Sequence, residues 1–224
     1  METITDIKKA PGCKIIEYEN GGSLRMPLSL YRERPVRIGQ QADPEEMHLY
    51  IARRGYPHAL DSAVRLLSLC DRTEKEIRRR LGQAGYPPSC VDAVIGKLYA
   101  EELLDDKAFA ASWTQSRAHK HGRNRIRQEL SRRGVDAETA EAAMTALSDE
   151  EQLKDAVKLT GKYLGRTHGD MDRKLYQRTL AMLARHGYDA ETARKALQII
   201  ARGEDDAEWD PEDVHDLMRW NPDR

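Results

Sequence analysis

Large apolar side chains and long apolar runs are scarce in this chain of 224 residues, which has one Phe, three Trp and no window of eighteen consecutive apolar residues. A transmembrane helix needs about twenty such residues, so a membrane span is not supported. The opening Met1-Glu2-Thr3 does not lead into the basic and then hydrophobic layout of a secretory leader, and a cytoplasmic location is the expectation. Cysteine is short too. Cys13, Cys70 and Cys90 are odd in number and widely separated, which fits neither a disulfide framework nor the paired spacing of a zinc site, so all three are expected as free thiols. Also missing are a nucleophile and base, a ligand cluster and a phosphate-cradling glycine loop at recognisable spacing. An enzyme is therefore disfavoured, and no cofactor or metal is expected.

One third of the residues are charged, and the net charge of −1 conceals an asymmetry. Residues 203–224 hold nine acids against two arginines, leaving a basic body. That tail also carries Trp209 and Trp220. Disorder is expected there, with a short helix from Asp210-Pro211 through Met218 as the alternative.

The first 42 residues read as a small β-hairpin region. Asn20-Gly21 is a turn signal between Ile15, Ile16 and Tyr18 on one side and the alternating Leu24, Met26, Leu28 and Leu30 on the other. Pro27 lacks an amide donor, so the second strand should lie at an edge or break there. A leading helix over 43–56 follows: Asp43 caps, Pro44 takes the first helical position, Glu46 completes a capping box, and Gly55 stops the helix.

Beyond that the chain is a succession of short helical patterns containing an internal repeat. "EIRRRLGQAGYPPSCVDAVIGKL" from Glu76, "RIRQELSRRGVDAETAEAAMTAL" from Arg125 and "RTLAMLARHGYDAETARKALQII" from Arg178 share a Leu, three residues and then Gly, at Leu81 and Gly85, Leu130 and Gly134, and Leu183 and Gly187. Each Gly is placed to end a helix in the left-handed conformation, with Tyr86, Val135 or Tyr188 covering the turn. A further helix precedes each pair, at Ala59 to Ser68, Lys107 to about Lys120, and Leu153 to Leu164. The expected fold is thus mainly α: three tandem three-helix repeats, at 57–105, 106–150 and 151–202, packed as an elongated, curved array. Such repeats need no dimer to complete a core, so a monomer is expected.

The stretches "AVRLLSLCDRTEKEIRRRLGQAGY" and "LLDDKAFAASWTQSRAHKHGRNRIRQELSRRGV" resemble the RecX regulators. The resemblance spans about residues 57 to 200 and is most specific from Leu103-Leu104-Asp105-Asp106 through Phe109-Ala110, Arg117 and Gly122 to the run Ile126 to Gly134. Cys70 stands where many relatives carry a basic residue, the third repeat matches loosely, and the acidic tail follows no family pattern. The resemblance implies a protein that lodges in the helical groove of the RecA recombinase filament on single-stranded DNA and suppresses ATP hydrolysis, strand exchange and coprotease activity.

Arg117, Lys120, Arg123, Arg125, Arg127, Arg132 and Arg133 form the densest basic stretch, opposed by the single acid Glu129. At 100° per residue Ile126 and Leu130 form the buried seam, with Arg123 and Arg127 to one side and Arg125 and Arg132 to the other. Guanidinium groups so placed can hold phosphates or an acidic protein groove; a solvated face is the bland reading. The same alternatives apply to Arg78, Arg79 and Arg80. Asp105-Asp106 reads as a helix cap and not as a metal pair. His119 and His121, about 200° apart on a helix, are expected in solvent, and Trp113 is expected in the core of the second repeat. A helix-turn-helix DNA reader is the competing reading, but the helices after the turns hold few donors for base edges: Asp136 to Leu147 has three acids and no base, and Ser89 to Leu98 only Lys97.

Overall fold

The computed structural model describes residues 1–166 and 172–202. The acidic tail, with Trp209 and Trp220, lies outside the described residues. Two compact units divide the chain, Met1–Phe109 and Ala110–Arg224.

The first unit opens with β1 (Glu2–Ala10), β2 (Cys13–Tyr18) and β3 (Ser23–Pro27), then α1 (Leu28–Glu33) and the short β4 (Gln41–Ala42). The hairpin of β2 and β3 is present, with Gly21 at φ +83° in its turn. It is part of a larger antiparallel sheet in the order β3-β2-β1-β4. β3 is an edge strand that ends at Pro27, where the missing amide costs no ladder bond. Leu30, read from sequence as a strand residue, sits fully buried in α1. Ile4, Ile16, Leu24 and Met26 pack with Leu30, Met47 and Ile51 into one core.

α2 (Pro44–Leu69) corrects the leading helix. Asp43 does cap it, accepting from Glu45 N at 2.9 Å, whereas Glu46 pairs with Arg34 at 2.8 Å. Gly55 does not stop it. The helix runs on through Gly55 and Pro57 for 26 residues, merging the leading helix with the first helix of the first repeat. Gly55 is there for packing: a Cβ on it would lie 3.3 Å from the Tyr86 ring and 3.7 Å from Cys90 Sγ. α3 (Glu74–Gln83) and α4 (Pro88–Ala100) complete the helical layer, around a core of Ala59, Ala63, Ile77, Leu81, Val94 and Leu98.

α5 (Asp106–Arg117) begins in the first unit and runs into the second, which continues with α6 (Arg123–Arg133), α7 (Ala137–Met144), α8 (Asp149–Leu164), α9 (Arg173–His186) and α10 (Ala190–Arg202). Ile126, Leu130, Val135 and Met144 are buried along α6 and α7. Ala156, Val157, Met182, Leu183, Tyr188 and Ala196 form the core of α8 to α10. Burial, with the Asp155 carboxylate adding to it, pushes the Tyr188 hydroxyl up to about 12.

All three helix stops are built alike. Gly85, Gly134 and Gly187 have φ of +92°, +95° and +92°, and Tyr86, Val135 and Tyr188 donate their amides back to Leu81, Leu130 and Leu183 at 3.1 to 3.2 Å. This is the six-to-one bond that closes a Schellman stop, and it explains why the repeat keeps Leu and Gly four apart. Asp105 and Asp106 cap two different helices: Asp105 Oδ1 accepts from Lys107 N and Ala108 N at 2.8 and 2.9 Å, while Asp106 Oδ1 accepts from Glu74 N at 2.9 Å.

Candidate functional site

The basic stretch folds onto α5, the turn after it, and α6. Its sole acid is the centre of the arrangement. Glu129 accepts from Trp113 Nε1 at 3.2 Å and lies 3.6 Å from Arg117 Nε and 3.4 Å from Arg125 Nε. The Arg117 and Arg133 guanidinium carbons sit 4.4 and 4.0 Å from the Trp113 ring centroid. Trp113 is therefore half-buried between cations and is not a core side chain as the sequence suggested.

Half of the other predicted arginines are also engaged. Arg123 bonds Asp149 and the Leu147 carbonyl, and Arg127 bonds Glu141. That bond holds the Glu141 carboxyl below its ordinary value. In the first unit Arg78 pairs with Glu74 and Asp92. Partners for Arg79, Arg80, Lys120 and Arg132 are absent among the described residues, and all four are exposed. The basic positions thus sort into an internally braced set and a smaller free set.

A second basic surface was not singled out from sequence. α9 contains no acid, and it buries Leu175, Thr179, Met182 and Leu183. Lys174, Arg178 and Arg185 fall within about 40° of one another on one flank of the helix, exposed and without a side-chain partner among the described residues. The signal was legible: four Lys and Arg residues in fourteen with no Asp or Glu.

α6 and α9 meet through their ends. Gly122 N donates to the His186 carbonyl at 2.9 Å and Asn124 N to the Gly187 carbonyl at 3.0 Å. The approach is so close that a Cβ on Gly122 would overlap the Gly187 backbone. His121 and His186 flank this junction with ring centroids 6.1 Å apart, and both Nδ1 atoms are buried without a partner. Burial, reinforced by Arg125, pushes the His121 pKa below its ordinary value, with His186 and Arg117 adding to the effect and Glu129 opposing it. His121 is therefore not the solvent-exposed residue expected; His119 is, pairing with Asp155 at 3.1 Å.

Family models match the chain at three places: the RecX first three-helix domain over residues 59–98, the second over 105–144 and the third over 149–197. The chain belongs to the RecX family. A Regulatory protein RecX of Thermobifida fusca is 31% identical over 71% of this chain and 83% of its own length. One from Mycobacterium ulcerans is 35% identical over 58% of this chain and 77% of its own length. One from Bacillus velezensis is 31% identical, and the match spans 61% of that protein. A RecX crystal structure from Lactobacillus salivarius covers 64% of this chain and 94% of its own, at 25% identity and a TM-score of 0.60. Another RecX crystal structure covers 88% of this chain with a TM-score of 0.62, at 23% identity, and so speaks to the fold alone. The RecX three-helix domains are the helix triads described above, each centred on a Leu and Gly stop. The relatives are named regulatory proteins, and no enzyme is named among these relatives. Among the described residues no helix is long and apolar enough to cross a membrane, and no group of three or more His, Cys, Asp or Glu is placed to hold a metal ion.

Proposed function

We propose that this protein restrains a RecA recombinase, binding in the groove of the RecA filament on single-stranded DNA and inhibiting ATP hydrolysis, strand exchange and coprotease activity. It acts as a cytoplasmic monomer, with the repeats at 57–105, 106–150 and 151–202 as its binding units. The observation that carries this reading is the full set of three RecX domains, supported by the free cations of α6 and α9. An acidic protein groove or a phosphate chain is the chemistry that unpaired guanidinium and ammonium groups recognise. Base reading has little support, because the Arg-rich helices precede the turns and α7 carries acids.

The test is DNA-dependent ATP hydrolysis by the cognate recombinase on preformed filaments, titrated with this protein well below one molecule per RecA subunit. Inhibition at those ratios is expected, since one row of repeats that bridges protomers restrains more than one of them. No effect from folded protein would overturn the reading and leave general nucleic-acid binding as the leading one.

A further inference from the structure

A cleft of about 450 Å³ opens in the first unit between the β1–β2 turn, α1, the second half of α2, and α3. Its floor is apolar: Leu28, Leu66 and Leu81 line it, and Leu69 stands 74% exposed at its rim. Tyr86 closes one wall, buried to 5% exposure, with its hydroxyl 3.3 Å from Ser29 Oγ.

Charge around this floor is unbalanced. Asp61 on the lining is taken by Arg65 at 2.8 Å, and His58 by Glu33 at 2.8 Å. Arg32 of α1 and Arg80 of α3 also line the cleft, both exposed and both without a partner among the described residues. Two guanidinium groups without partners among the described residues therefore line the same cleft as these leucines, of which Leu69 is exposed.

We infer that this cleft is a docking site for an acidic peptide segment of a partner protein, one that carries an aliphatic side chain between carboxylates. The aliphatic side chain covers Leu28, Leu66 and Leu69, while carboxylates reach Arg32 and Arg80 in the paired geometry guanidinium favours. A nucleic-acid chain fits less well. Tyr86, the lining tyrosine, is buried with its hydroxyl tethered to Ser29 and offers no open face for base stacking. The inference stands apart from the RecA reading, because it names a chemistry and not a particular partner.

Fluorescence anisotropy on the full chain tests it, with a short fluorescein-labelled peptide repeating Asp-Glu-Leu, its Asn-Gln-Leu counterpart, and an oligo-dT of matching length. The acidic peptide is expected to bind, and the uncharged one to bind at least about tenfold more weakly. Arg32→Glu with Arg80→Glu should lower acidic-peptide affinity by about tenfold or more. The matched reversal Lys75→Glu with Arg53→Glu, on exposed residues outside the cleft, should leave it within about twofold. Leu69→Ser, at the exposed rim, should weaken binding about threefold or more through lost apolar contact. Absence of peptide binding up to about 1 mM would overturn the proposal. So would equal loss in both charge reversals, indifference to Leu69→Ser, or oligo-dT binding through Arg32 and Arg80 in place of the peptide.

Discussion

Gly122 and Gly187 are glycines for separable reasons. Gly122 has an ordinary φ of −73°, so the obstacle to a side chain there is the Gly187 backbone against it. Gly21 is the converse, with φ +83° and nothing within 4 Å of a Cβ, and Gly187 combines both restrictions. Gly21→Ala should cost about 1 kcal/mol through left-handed strain alone, Gly122→Ala about 1–3 kcal/mol through overlap with backbone that cannot rotate away, and Gly187→Ala more than either. Thermal unfolding of the three variants checks the order, and a Gly122→Ala midpoint equal to the parent would mean that α6 and α9 do not meet as described. Glu129 is the other residue on which much depends. Glu129→Gln keeps an acceptor for Trp113 but removes the charge that faces Arg117 and Arg125. A loss of about 1 kcal/mol is expected by denaturant unfolding, a value kept small because the arginines are partly exposed.

At the scale of elements, the junction of α6 with α9 makes the second unit sensitive to acid. The folded state holds His121 below its ordinary pKa, so in the window below about 6.5 the unfolded chain binds more protons than the folded one. Stability from this source is complete above that value and falls as the pH drops through it. The unfolding midpoint should decrease between neutral and mildly acidic buffer, and His121→Gln should flatten the slope; an unchanged slope in that variant would clear His121 of the effect. The elements that sequence revealed are those fixed by local rules. Leu and Gly at the three stops need only the last turn of their own helix, so Gly85, Gly134 and Gly187 were legible. Gly55 was misread because its reason is Tyr86, on a turn 31 positions away. β1 was missed because Thr3, Asp6, Lys8 and Lys9 mask its alternation, and Ile4 pays for its place only once β2 and β4 flank it.

Across the molecule, the basic residues divide by what their neighbours do to them, and that division could not be read from the basic stretch itself. Asp149 and Glu141, which bind Arg123 and Arg127, lie on helices other than α6. Reversing Arg123, Arg125 and Arg127 to Glu therefore does more than alter a surface. It sets like charges against Asp149, Glu129 and Glu141, and should lower the unfolding midpoint together with any loss of binding, which makes that variant a poor probe of function. Lys174, Arg178 and Arg185 have no such attachments among the described residues. Their reversal to Glu should leave unfolding within about 0.5 kcal/mol of the parent while reducing inhibition of filament ATP hydrolysis at least about tenfold, with a shallower salt dependence because fewer charges are neutralised on binding. Run side by side at two salt concentrations, the two triple variants separate bracing from contact. Full inhibition by the α9 variant would remove that helix from the binding surface and return the contact to Lys120, Arg132 and the first unit's Arg79 and Arg80. A loss of inhibition accompanied by an equal fall in stability would place the α9 cations in the fold's own support instead.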